Sequence, residues 1–227
     1  MPLAATFIDG GFTSDGIRFP SPEEVAAIVD ETHAAGALFV ADEVQAGHGR
    51  TGDHLWSFVR HGIAPDVVTL GKPMGNGYPV GAVITCREIA DSLAARTRVF
   101  STFGGNPVAA QAALAVLDVI EDDRIVDNAA RVGSRLLQSL EALRASAPSI
   151  AEVRGRGLLV GVELATPDGN PNPQLAERVV NELRDAGILI GRTGRHDNVL
   201  KIRPPLVFAD EHADLVIDAV SRSVGSG

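Results

Sequence analysis

Two short, uninterrupted apolar runs, each stopped by a single ionisable residue, constrain this chain most. Residues 37–41 (ALFVA) end at Asp42; residues 66–70 (DVVTL) are followed, after Gly71, by Lys72. A run without polar alternation is the pattern of a strand buried on both faces. The segment before the first run is punctuated as a helix. Ser21 suits the N-cap, Pro22 the first helical position, and Glu23 and Glu24 the positive end of the dipole. Val25, Ile28, Val29 and Thr32 fall on one face, and Gly36 can end the helix. Residues 5–8 (ATFI) and 80–85 (VGAVIT) read as further strands. Alternation of strand and helix predicts an α/β layer with a largely parallel sheet. In such sheets ligands sit beyond the carboxyl ends of the strands, and Asp42 and Lys72 both belong to that edge.

Downstream, Arg87 to Arg96 is expected as a short helix and Thr97 to Asn106 as a loop. Asn106-Pro107 opens a long helix that is apolar almost all round, hence expected to be buried. Arg124 to Ala145 is a second long helix, more amphipathic. From about residue 149 the elements shorten: strands at 157–165, 188–190 and 199–203, a helix from Pro173 to Ala186, and a last helix capped by Asp210. The expected organisation is therefore a large α/β domain over 1–122, a linking helix over 123–148, and a small α+β domain over 149–227.

Composition narrows the function classes. A formal net charge of -9 leaves no basic excess to neutralise phosphates, which argues against a general nucleic-acid binder. Cys86 is the one cysteine, so an internal disulfide and a multi-cysteine metal site are excluded. No apolar segment approaches the roughly 20 residues a membrane helix needs, and the start has no secretory pattern; the expectation is a cytoplasmic protein. His48, His54 and His61 are spaced too irregularly for a helical metal pair and are expected to be solvated, so no metal site is predicted. The glycines around Lys72 have neither P-loop order nor dinucleotide-fingerprint spacing, and there is no G-x-S-x-G elbow.

Taken singly, Asp42 reads as a loop-starting cap and Lys72 as a surface lysine. Together, at the ends of two buried strands and flanked by glycines, they read as a site. A carboxylate and an amine at one crevice suit pyridoxal phosphate. That cofactor withdraws electrons only while its pyridine nitrogen is protonated, and an adjacent carboxylate favours the cationic form. A lysine amine can attach to its aldehyde and later carry a proton. Gly71, Gly75 and Gly77 leave room for a flat ring to approach the backbone.

Four blocks carry a family resemblance: ADEVQAGHGRTG (41–52), PDVVTLGKPMGNGYPVGAV (65–83), STFGGNP (101–107) and LKIRPPL (200–206). In this order they resemble the class III (subgroup II) aminotransferases of fold type I, including the branch of ethanolamine-phosphate phospho-lyases and alanine–glyoxylate aminotransferase 2-like enzymes. The resemblance implies roles. Asp42 pairs with the pyridine nitrogen, Val44 packs on the ring, Gln45 reaches the ring hydroxyl, and Lys72 is the Schiff-base lysine. Ser101 and Thr102 bind the cofactor phosphate of the neighbouring subunit, which implies a homodimer, and Arg203 clamps the substrate carboxylate. The bland alternatives are a self-bonded loop for Ser101 and Thr102 and an outward strand residue for Arg203.

Members of that family are about twice as long, so the chain is expected to represent the carboxyl half, lacking the glycine/serine turn for the cofactor phosphate and the aromatic over the ring. Alone it is expected to bind cofactor weakly and turn over little. Three functions stay open: amino transfer between an amine or amino acid and a keto acid; phosphate elimination from a phosphorylated amino alcohol, with Arg192, Arg195, His196, Lys201 and Arg203 as phosphate receptors; and a non-catalytic interaction fragment.

Overall fold

A computed structural model describes residues 2–225 and divides the chain into two compact units. The first unit comprises the chain up to Gly10, Pro20–His48 and Trp56–Arg124; the second comprises Gly11–Phe19, Gly49–Leu55 and Ile125 onward.

The first unit is built on a four-stranded sheet in the order β1 (Ala5–Asp9), β2 (Leu38–Asp42), β3 (Val67–Leu70), β4 (Ala82–Thr85). β1, β2 and β3 are parallel, with Asp9 level with Asp42 and Asp42 level with Thr69. β4 pairs antiparallel with β3, so the sheet is mainly parallel as expected. Helix α1 (Pro22–Ala34) connects β1 to β2. Its start is fixed by a reciprocal box: Ser21 Oγ accepts from Glu24 N at 3.2 Å and the Glu24 carboxylate accepts from Ser21 N at 2.7 Å. Val25 and Val29 of α1 pack with Phe39, Ala41, Val68 and Leu70 to form the core of this unit.

Helices α2 (Arg87–Arg96) and α3 (Pro107–Asp122) follow. The expectation that α3 is buried is wrong. Only Ala109 and Ile120 are buried, and Val108, Leu114, Leu117 and Val119 are exposed. Apolarity reports what a helix can bury, and no described residue of this unit covers those positions.

The second unit carries an antiparallel sheet in the order β5-β6-β8-β7, from β5 (Ile150–Arg156), β6 (Leu159–Leu164), β7 (Gly191–Thr193) and β8 (Val199–Ile202). It packs with α4 (Ile125–Arg144), α5 (Pro173–Asp185) and α6 (Asp210–Gly225), which makes it α+β. Helix α4, expected as a linker, is a core helix here: Ala129, Val132, Leu136 and Leu140 have no exposed surface. The expected strand at 157–165 is a hairpin arm, β6, whose partner β5 was not foreseen. The expected strand at 188–190 is not formed. Ile188 N instead donates to Leu183 O at 2.8 Å behind Gly187, whose φ is 83°, which closes α5. Among the described residues no helix is long and apolar enough to cross a membrane, and no cluster of metal-ligating side chains occurs.

Candidate active site

Because β2 and β3 run parallel, their carboxyl ends share one edge of the first unit, and Asp42 and Lys72 lie there. Asp42 is half-buried. Its Oδ1 accepts from Val44 N at 3.0 Å and from Thr69 Oγ1 at 3.3 Å. These bonds fix the carboxylate in orientation without neutralising it, and no basic side chain among the described residues forms an ion pair with it. A half-buried carboxylate held by two neutral donors can still accept a cationic partner.

Lys72 begins a single 3-10 turn, Lys72–Gly75, and has φ of 39°. Positive φ is costly for a side chain of this kind, and the following Pro73 already disfavours the ordinary helical conformation. Backbone strain of this sort is kept where the surroundings over-determine it, commonly at functional sites. Gly71 stands directly before it. A Cβ built there would lie 3.7 Å from a Val44 methyl, so Val44 sits beside the base of the lysine. Lys72 is exposed, and its side chain makes no hydrogen bond or ion pair among the described residues. The chain has one other lysine, Lys201 in the second unit, whose Nζ donates to Thr13 O at 2.7 Å.

Glu43, next to Asp42, was not singled out in the sequence. Only 1% exposed, it accepts from Ser57 N at 2.8 Å, Ser57 Oγ at 2.7 Å and Phe58 N at 2.9 Å. Burial raises its pKa; the Ser57 and Phe58 donors oppose the rise and the nearby Asp9 charge adds to it. Its backbone carbonyl accepts from Gly47 N at 3.1 Å, where a side chain would collide with it at 2.6 Å. Glu43 thus pins the turn that carries Val44 and Gln45 to the Ser57–His61 3-10 turn. The signal available in the sequence was the second carboxylate of the Asp-Glu pair with a glycine four residues on.

Gln45 is half-buried in that turn. Ser101 and Thr102 are exposed, and Ser101 Oγ accepts from Gly104 N at 3.0 Å, the self-bonded loop of the bland reading. The same loop, with Tyr78, Gly81 and Asn106, lines a concavity of about 410 Å³. Arg203 is exposed and lies in the second unit, directly after β8. Of the proposed basic cluster, Lys201 Nζ donates to Thr13 O at 2.7 Å, and Arg192 donates to Pro173 O at 3.3 Å beside Glu177. Of the three histidines, only His54 is solvated as expected. His48 is 1% and His61 7% exposed, and His48 packs edge-on against Trp56 with ring centroids 4.9 Å apart.

The model of the family Aminotransferase class-III matches residues 3–224. The chain belongs to the class III aminotransferases. It is 44% identical over 211 residues to alanine–glyoxylate aminotransferase 2 homolog 2, mitochondrial, of Arabidopsis thaliana, covering 92% of this chain and 44% of the relative. It is 37% identical to ethanolamine-phosphate phospho-lyase homolog 1 of Caenorhabditis elegans, covering 97% of this chain and 48% of the relative. A phospholyase from Arthrobacter, solved in complex with phosphoethanolamine, superposes with a TM-score of 0.94 at 39% identity, over 98% of this chain and 53% of that one. An aminotransferase of Bacillus anthracis superposes with a TM-score of 0.91 at 32% identity, over 98% and 52%. The chain therefore spans about half the length of the relatives it matches. The class III fold accounts for the two units as the mainly parallel layer and the α+β unit of a fold type I enzyme, and class III membership implies pyridoxal phosphate as cofactor.

Proposed function

We propose that this chain supplies the lysine-bearing half of a pyridoxal-phosphate site that moves an amino group between an amine or amino acid and a keto acid. The observation that carries the reading is the pairing, on neighbouring parallel strands, of a half-buried carboxylate without a cation and a strained, exposed lysine, with Val44 beside the lysine's backbone. The residues fit the cofactor: Asp42 for its pyridine nitrogen, Val44 for a ring face, Gln45 for the ring hydroxyl, Lys72 for its aldehyde. When bound, pyridoxal phosphate supplies an electron sink for bonds at the amine-bearing carbon.

Each residue of this chain then has one task. Asp42, held by Val44 N and Thr69, keeps a positive charge favourable next to its free carboxylate oxygen. Lys72 would hold the cofactor at its aldehyde, and its amine, when free, would move a proton at the substrate carbon. Ser101 and Thr102 serve the cofactor phosphate of a neighbouring subunit in a homodimer, and Arg203 binds the substrate carboxylate. Exposed Phe7 on edge strand β1, and Val83 and Ile84 on edge strand β4, offer apolar surface to whatever completes this unit in the active enzyme.

A phospho-lyase reading is favoured by one observation, the Arthrobacter phospholyase holding phosphoethanolamine at 39% identity. Incubating the active assembly with phosphoethanolamine and, separately, with alanine and glyoxylate separates the two. Pyruvate formation that requires glyoxylate, without phosphate release, supports amino transfer. Phosphate release without any keto acid overturns it in favour of elimination.

A further inference from the structure

Asp42 and Glu43 are consecutive, and successive side chains of an extended backbone point to opposite sides. Asp42 stands at the carboxyl edge of the sheet, whereas Glu43 is buried in the interior of the same unit. Every polar atom of Glu43 is engaged there. Its N–H donates to Thr69 O at 3.0 Å, which continues the pairing of β2 with β3 past Asp42, and its carbonyl accepts from Gly47 N at 3.1 Å. Its carboxylate accepts from Ser57 N at 2.8 Å, Ser57 Oγ at 2.7 Å and Phe58 N at 2.9 Å.

Two glycines permit this packing. A Cβ at Gly47 would lie 2.6 Å from Glu43 O and 2.9 Å from Glu43 Oε2, and one at Gly10, directly after β1, would lie 2.6 Å from Ser57 Oγ. The space left among Gly10, Glu43, Ser57 and His61 is a cavity of about 10 Å³, room for no more than about one water molecule. Bulk water therefore cannot replace a lost Glu43 bond. Enclosed in this way, Glu43 can act on a ligand only through what it holds.

What it holds is the turn from residue 43 to 47, which carries Val44. Val44 N donates to Asp42 Oδ1 at 3.0 Å; the other bond that orients this carboxylate comes from Thr69 Oγ1 at 3.3 Å. The longer bond is the weaker, so the Val44 N–H is the main hold on Asp42. Val44 also stands beside Gly71, at the base of Lys72.

We infer that Glu43 is a positioning residue for Asp42: acting through Val44 N, it sets the carboxylate meant for the pyridine nitrogen of the cofactor and, with it, how firmly that nitrogen is kept protonated. The inference rests on the reading of Asp42 and Lys72 as a pyridoxal-phosphate site.

The test is a pH titration of the visible absorbance of pyridoxal phosphate bound to the active assembly, with the cofactor's dissociation constant measured alongside. It compares the unaltered protein with Asp42→Asn, Glu43→Gln, Ser57→Ala and Val29→Ala. The midpoint belongs to the linkage between Lys72 and the cofactor, and a positive pyridine nitrogen nearby keeps it low. Glu43→Gln preserves the size of the side chain, but an amide has a donor at one end and cannot accept from both Ser57 N and Phe58 N. It should raise the midpoint by about one pH unit and weaken cofactor binding about tenfold, in the direction of Asp42→Asn but by less. Ser57→Ala should raise the midpoint by less again, and add nothing in the Glu43→Gln background. Val29→Ala, in the core of the same unit, should lower stability and leave the midpoint in place; a matching rise there marks a merely structural effect and overturns the inference. So does a Glu43→Gln midpoint equal to that of the unaltered protein. Asp42→Asn then separates the two readings. If it raises the midpoint, the cofactor reading stands and only this inference falls; if it too leaves the midpoint in place, the cofactor reading fails as well. Should Glu43→Gln not assemble, Ser57→Ala decides: a raised midpoint supports the inference and an unmoved one overturns it.

Discussion

The two units differ in how completely they bury their own apolar surface. In the second, Leu136, Leu140, Leu164, Leu183 and Leu200 have no exposed area, and three helices and a sheet meet around them. In the first, the core is six residues around Phe39 and Val68, while Phe7, Val83, Phe100, Phe103 and Val108 are each more than 60% exposed. Yet Asp42, Lys72 and the buried Glu43 all belong to the first unit. The lesson is that the reactive groups are positioned by local bonds — Asp42 by Val44 N, the turn by Glu43 — rather than by the bulk of a closed core.

That contrast can be attacked from both sides. The largest effect is expected in the second unit: Leu164→Ala should cost about 2–5 kcal/mol in urea unfolding, because a fully buried leucine leaves a cavity. Next is Gly133→Ala in α4, whose new methyl would lie 2.1 Å from Gly157 O; overpacking of this kind costs about 1–3 kcal/mol, and a neutral result would mean α4 has room to shift. In the first unit, Glu43→Ala strands the buried donors of Ser57 and Phe58 at a cost of about 1–3 kcal/mol. Trp56, the one tryptophan and neighbour of Ser57, reports that loss by fluorescence.

A smaller effect is pH-dependent. Burial pushes the Asp66 carboxyl up, but the Phe39 N–H at 2.7 Å and the His33 ring at 2.9 Å outweigh it and hold it below the usual range. A depressed carboxylate contributes stability above its unfolded pKa and loses it as pH falls through the folded value. Asp66→Asn should therefore flatten the acid limb of the Trp56 transition and leave the second unit unchanged. Smallest of all, Val108→Ser on the open face of α3 should change stability by less than about 0.5 kcal/mol; a clear loss would show that this face is covered in solution.

Much of this was readable in the residues. The unbroken runs before Asp42 and Lys72 gave both strand ends, and Ser21 with Glu24 gave the start of α1. Strand β5 was not readable because IAEVRGR mixes charges into its alternation and carries an irregular register between Ile150 and Glu152. Periodicity also cannot say what covers a face, which is why α3 came out exposed and His48 and His61 buried. Arg50, within the ADEVQAGHGRTG block, donates to the Leu158 and Pro204 carbonyls more than a hundred residues away, and no local pattern encodes such a contact.

The most direct test of the central claim uses the fact that the chain has two lysines, Lys72 and Lys201. The active assembly, loaded with pyridoxal phosphate, is treated with borohydride, and the modified peptide is located by mass spectrometry. The added mass should fall on the Lys72 peptide and disappear in Lys72→Ala, while Lys201, bonded to Thr13 O, stays unmodified. Equal labelling of both lysines, or labelling that survives Lys72→Ala, would contradict the assignment of Lys72 as the residue that holds the cofactor.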